Sequence, residues 1–139
     1  TKVIEFNYET TFTLNSEQQL TNWIVSCIEE NDFKVGEVAY IFCNDTYLHK
    51  LNVEFLQHDT YTDIISFDNT LGKIIGGDIF ISIERVKENA AQFASSFEEE
   101  LQRVMIHGVL HFMGYKDKTI EEKAIMREKE NQCIQLLNN

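Results

Sequence analysis

The chain has no proline, only three cysteines and four histidines, and about half as many bases as acids (12 Lys and Arg against 23 Asp and Glu). Each shortage excludes something. With no proline, no repeat and no low-complexity run, nothing in the sequence reads as a linker, and 139 residues fit one domain spanning positions 1–139. The formal net charge of −11 argues against a protein that grips nucleic acid by bulk charge, because phosphate contacts need Lys and Arg. It leaves room for a local basic patch or for a metal that handles phosphate. Apolar runs fall far short of a membrane span, and the N-terminal TKVIEFNYET lacks the apolar core of a signal peptide. Cys27, Cys43 and Cys133 are odd in number and form no CxxC pair. They read as three free thiols, buried as small apolar residues, in a reducing cytosol. A cytoplasmic location without a membrane is the expectation.

What is present supports a folded core. Hydrophobic residues make up 43% of the chain and charged residues 25%, outside the range of disordered segments. Lys2 to Thr13 reads as a strand with Ile4, Phe6 and Tyr8 on one face. Asn15 or Ser16 caps a helix to about Glu30 that aligns Leu20, Trp23, Ile24, Cys27 and Ile28. Gly36 to Cys43 is a strand. Asn44 and Asp45 open a helix carrying Leu48, Leu51, Asn52 and Phe55, and His58 to Asp63 is a polar loop. Ile64 to Phe67 and the DIFISI after Gly76–Gly77 are strands. Helices follow from Glu84 to about Phe93, from about Phe97 to Met113, and from a Thr119/Glu122 capping box to about Leu137. The order β-α-β-α-β-β-α-α-α predicts an α/β (α+β) fold, a small mixed sheet of about four strands packed with about five helices.

The stretch HGVLHFMGYKD, His107 to Asp117, holds two of the four histidines. On a helix His107 and His111 lie only about 40° apart and one turn along, so both imidazoles can bind one ion. Gly108 between them costs about 0.5–1 kcal/mol against alanine in mid-helix, which close approach of a backbone or a substrate would justify. Gly114 is a natural helix stop, and the chain reversing there can bring Asp117 back to the histidines. A carboxylate is an acceptable third zinc ligand, and catalytic zinc takes three protein ligands and keeps one position open. Two histidines at this spacing also occur as packing residues, and Asp117 alone could be a solvated turn residue or an added cap. The Glu that follows the first His in common zinc proteases is replaced by Gly108, which disfavours that class.

HGVLHFMGY resembles the signature of the YbeY family of bacterial endoribonucleases, His-Gly-x-Leu-His followed by two apolar residues, Gly-Tyr and Asp-His. LNVEFLQHDTYTDIISF (51–67) resembles the family's Leu-Asn segment and Thr-Asp-Val-Leu-Ser-Phe. GGDIFIS (76–82) resembles its Gly-Asp-Ile-x-Ile-Ser strand. The chain departs from the pattern where the family's third histidine falls on Asp117, its Asp on Lys116, its Arg on Leu56 and its Pro on Tyr61. The resemblance implies a cytoplasmic, zinc-dependent, single-strand-specific endoribonuclease. Its expected role is maturation of small-subunit (16S) rRNA and ribosome quality control. The implied partners are rRNA, the small ribosomal subunit and its assembly factors, with no DNA. One zinc ion would be held by His107, His111 and Asp117. Thr62 and Asp63 match the family pattern as candidate catalytic residues, Asp63 orienting a ligand or acting as base; its simpler role is a turn or strand cap. Lys116 and Lys118 flank Asp117 as candidate substrate contacts, although most surface lysines are only solvated. His58 is the reserve ligand, and His49 has no assigned role. The competing reading is a non-catalytic ribosome assembly factor whose metal site is structural and closed. A metallohydrolase of small molecules, with a narrow closed pocket, is a third.

Overall fold

A computed structural model describes residues 3–138. In chain order the elements are β1 (Ile4–Tyr8), α1 (Glu17–Glu30), β2 (Lys34–Cys43), α2 (Asp45–Leu56), β3 (Ile64–Asp68), β4 (Ile74–Ser82), α3 (Ile83–Gln92), α4 (Phe97–Phe112) and α5 (Ile120–Leu137). The four strands lie in the order β1-β2-β4-β3. β1, β2 and β4 run parallel, and β3 returns antiparallel along β4. This is the mixed sheet with five helices that the sequence implies.

The period-2 alternation of β4 assigns the two sheet faces. Ile79 and Ile81 enter the large core with Val38, Tyr40 and Phe42 of β2, while Phe80 turns to a smaller cluster of Cys43, Leu48 and Ile65 under α2. The large core is closed by α1, α4 and α5. α1 contributes the stripe Leu20, Trp23, Ile24, Cys27 and Ile28. α4 is buried on most of its circumference, with Leu101, Val104, Met105, Ile106, Val109, Leu110 and Phe112 inside. Polar atoms in this core are paired. The Tyr40 hydroxyl donates to the Met105 carbonyl at 2.9 Å and the Trp23 indole to the Cys133 carbonyl at 2.6 Å. All three cysteines are buried and free.

The boundaries depart from the sequence reading for tertiary reasons. The first strand ends at Tyr8, not Thr13, because its partner β2 ends at Cys43 and the last bond, Glu9 N–H to the Phe42 carbonyl at 2.7 Å, exhausts the ladder. Lys2, placed in the same strand, lies outside the described residues. β2 begins two residues before Gly36: Lys34 pairs with Ile74, and a register shift between Val35 and Val38 puts Gly36 in a bulge. β4 likewise starts at Ile74 and runs through Gly76–Gly77. Gly77 has φ +151°, and an added Cβ would overlap the Phe67 carbonyl and come within 2.6 Å of the Phe112 ring. The glycine therefore lets α4 press onto the strand. No helix among the described residues is long and apolar enough to cross a membrane.

Candidate metal centre

The centre is built from one helix and the turn that follows it. Ser96 and Glu99 close a capping box at the start of α4, whose first turn carries Glu98, Glu99 and Glu100 at the end where the helix dipole favours negative charge. Further along, His107 and His111 stand one turn apart on the half-buried edge of the helix. Gly108 faces inward, where an added Cβ would meet the tips of Ile79 and Ile64 at 3.0–3.1 Å. The close approach it serves is therefore to the sheet. Gly114, at φ +103°, turns the chain back. The Tyr115 N–H then donates to the Leu110 carbonyl at 3.1 Å and Gly114 N–H to His111 at 3.0 Å, closing the helix end. Asp117 returns over the histidines before Thr119 and Glu122 cap α5.

The donor atoms converge. His107 Nε2 and His111 Nε2 are 3.0 Å apart, and Asp117 Oδ2 lies 3.1 Å from the first and 3.3 Å from the second. Tetrahedral zinc with bonds of 2.0–2.2 Å holds its ligand atoms about 3.3 Å apart, so the triangle is nearly the right size. The protons also fit. His111 Nδ1 donates to the Tyr115 carbonyl at 2.9 Å, and His107 Nδ1 lies 2.6 Å from Glu130 Oε2. A carbonyl and a carboxylate only accept, so each neutral ring carries its proton on Nδ1 and turns a lone pair inward from Nε2. Two lone pairs and a carboxylate oxygen then meet without a donor, an arrangement a cation satisfies. These three residues form a group able to hold a metal ion, and no further His, Cys, Asp or Glu among the described residues joins it.

Glu130 was not among the residues singled out in the sequence. It is 5% exposed, and besides His107 it takes a hydrogen bond from Arg103 at 2.9 Å. Burial opposes ionisation of its carboxyl, but the His107 and Arg103 hydrogen bonds outweigh it and hold the pKa below the usual carboxylate range. Burial likewise works against a charged His107, and Glu130, Asp117 and Asp63 together reverse it and raise the pKa of the ring. The signal available in the sequence was the stripe Met126, Glu130, Cys133 on α5, an acid on an otherwise apolar face at i, i+4, i+7.

The other candidates divide. Asp63 shares the wall of one cavity with His107 and Asp117. Asn89 donates to its Oδ2 at 3.3 Å, and burial pushes its pKa up against the pull of its hydrogen bonds and of His107 and Arg85. Thr62 is directed elsewhere, its hydroxyl donating to the Ile64 carbonyl at 3.3 Å in the turn entering β3. Lys116 and Lys118 are exposed beside Asp117 but off the cavity wall, where the cations are Arg103, Lys123 and Arg127. His58 is exposed at the end of α2 and absent from the donor group. His49 pairs with Asp59 at 2.8 Å and stacks on Tyr61. Buried Asn52 donates to the Thr60 carbonyl at 2.8 Å and holds the loop before Asp63.

The family model described as "Endoribonuclease YbeY" matches residues 4–138. The "Endoribonuclease YbeY" of Christiangramia forsetii is 56% identical over 97% of this chain and 94% of its own length. That of Flavobacterium johnsoniae is 54% identical over 98% of each. A Thermotoga maritima protein of known solution structure superposes with a TM-score of 0.71 at 26% identity, covering 96% of this chain and 88% of that one. With the converging histidines and aspartate in place and the match running almost end to end, this chain belongs to the YbeY endoribonuclease family.

Proposed function

We propose that this chain is a zinc-dependent endoribonuclease that cuts single-stranded RNA. Its physiological target is the rRNA of the small subunit during maturation and quality control, with that subunit and its assembly factors as partners. The observation that carries the reading is the triad of His107, His111 and Asp117, three acceptors aimed at one point beside a cavity of about 560 Å³. Two imidazole nitrogens and one carboxylate suit zinc better than magnesium or calcium, which prefer all-oxygen sets. The relatives' names point to RNA as substrate. Three buried free thiols are consistent with a reducing cytoplasm.

When bound, zinc supplies Lewis acidity at the scissile phosphate and a nucleophile at neutral pH. The protein's side chains supply the rest. Glu130 and the Tyr115 carbonyl hold the two rings in one tautomer and one orientation. Asp63, desolvated and steadied by Asn89, stands on the cavity wall as the group that accepts or returns a proton at its carboxylate oxygens. Three protein ligands leave a position for substrate, whereas a structural zinc site is closed by four.

The test joins metal content to cleavage. Wild-type protein is expected to carry about one zinc per chain and to cut a single-stranded oligoribonucleotide but not its duplex. His107→Ala and Asp117→Ala should lose both properties, and Asp117→His should keep the metal. Tightly held zinc with no cleavage, alone or on small subunits, would move the chain to the structural-site reading of a ribosome assembly factor.

A further inference from the structure

We infer that Phe93, with Lys123 and Arg127, forms a nucleotide subsite beside the metal ligands, the ring stacking a base of single-stranded RNA and the two cations meeting its backbone phosphates. The inference rests on the ribonuclease reading and adds the residues that grip the strand.

The cavity that holds His107 and Asp117 in its wall reaches to Phe93 at the C-cap of α3. A second cavity of about 280 Å³ continues it along α5 and shares His107, Asp117, Lys123, Arg127 and Glu130. The two together make an open trough, suited to a chain threaded past the metal ligands more than to an enclosed small molecule. Single exposed apolar residues are ordinary on protein surfaces. Phe93 differs by position. The residue is 63% exposed and its ring stacks on no other aromatic ring among the described residues, while its backbone N–H donates to the Asn89 carbonyl at 2.9 Å. An aromatic ring with a free face, carried on an anchored backbone, is what a sequence-tolerant single-strand site uses, because every base offers a π-face.

The charges support the same occupant. Only 12 side chains are basic in this acidic protein, yet three of them, Arg103, Lys123 and Arg127, line this trough. Arg103 is committed to Glu130 at 2.9 Å. Lys123 makes no ion pair among the described residues, and Arg127 reaches Glu130 only at 3.8 Å with its side chain 60% exposed. Both therefore remain available. They lie at i and i+4 on α5, one turn or about 5.4 Å apart along the helix. Of the acids in the wall, Glu130 is taken up by His107 and Arg103, and Asp117 by the two histidines. Asp63 and Glu100 remain, each with its pKa raised by burial, and for Glu100 also by Asp63.

The probe is a 2′-O-methyl hexanucleotide, with an abasic strand of the same length as control, bound to zinc-loaded protein. Phe93→Trp places a reporter in the trough, since the native Trp23 is 4% exposed and its indole is bonded inside the core. The introduced indole should be quenched by the hexanucleotide and not by the abasic strand. Phe93→Ala should weaken the hexanucleotide by roughly 10–100-fold and leave the abasic strand unchanged. Lys123→Ala and Arg127→Ala should weaken both strands and each flatten the salt dependence by a little under one unit of slope. Unaltered affinity in Phe93→Ala together with an unquenched indole, in a wild type that binds and cuts RNA, overturns the subsite and leaves the nuclease standing. A wild type that neither binds nor cuts single-stranded RNA overturns both.

Discussion

His107 is where two carboxylates from different parts of the chain meet. Asp117 lies at its Nε2 and Glu130 at its Nδ1, and Arg103 steadies Glu130 from one turn earlier on α4. Because the carboxylate fixes which nitrogen carries the proton, it sets whether the other can bind a cation. Glu130→Ala is expected to lower zinc affinity by about 10–100-fold, read by competition with a chromophoric chelator, with Glu130→Gln intermediate because its amide oxygen still accepts the Nδ1 proton. Equal affinities in all three proteins would remove Glu130 from the centre. Asp117 plays a part the sequence could suggest, since its spacing from His111 and the intervening Gly114 are both local. Glu130 could not be found that way, because what makes it significant is a contact across 23 residues.

Helix α4 is aligned at three points. The Ser96–Glu99 box starts it, Gly114 ends it, and Gly77 on β4 admits its Phe112 ring against the sheet. The last contact sits next to His111 in sequence, so the seat of the histidine pair depends on a strand residue. Gly77→Ala should destabilise the fold by about 3 kcal/mol, from a backbone angle that only glycine adopts freely and from overlap with Phe67 and Phe112. For a chain of this size that lowers Tm by roughly 10 °C, which thermal unfolding followed by circular dichroism would read; an unchanged Tm would mean the strand relaxes there. The boundaries of β1, β2 and β4 show why elements were legible while their ends were not. Periodicity locates each apolar run, but a ladder stops where its neighbour stops, and that neighbour is distant in sequence.

At the scale of the whole molecule, a net charge of −11 coexists with a cavity wall carrying three cations, so the field an RNA strand would meet there as proposed is local. A metal held as proposed would also join parts of the fold, since His107 and His111 lie on α4 and Asp117 on the connection to α5. Binding to the folded state alone stabilises it by mass action, about 2.7 kcal/mol when free zinc is 100 times the Kd. Zinc should therefore raise Tm by several degrees in wild-type protein and leave His107→Ala where it was, as scanning calorimetry would measure. A rise of equal size in both would place the bound zinc elsewhere.

Sequence by itself determined the class of fold, the kinds and order of its elements, and the histidine pair. Those depend on spacing within one element: the stripe of α1, the alternation of β4, and the turn that separates His107 from His111. It also carried the family, through motifs that lie in contiguous stretches. Only the tertiary structure decided which distant groups complete the centre. Glu130 reaches His107 because α5 packs on α4, Asp63 reaches the same cavity because β3 pairs with β4, and Lys123 and Arg127, not Lys116 and Lys118, line the trough because of the way α5 is turned. The physical reason is common to all of them. Local periodicity says which face of an element is apolar, whereas the site is made of polar groups from separate elements, and their meeting is fixed by how the apolar faces pack.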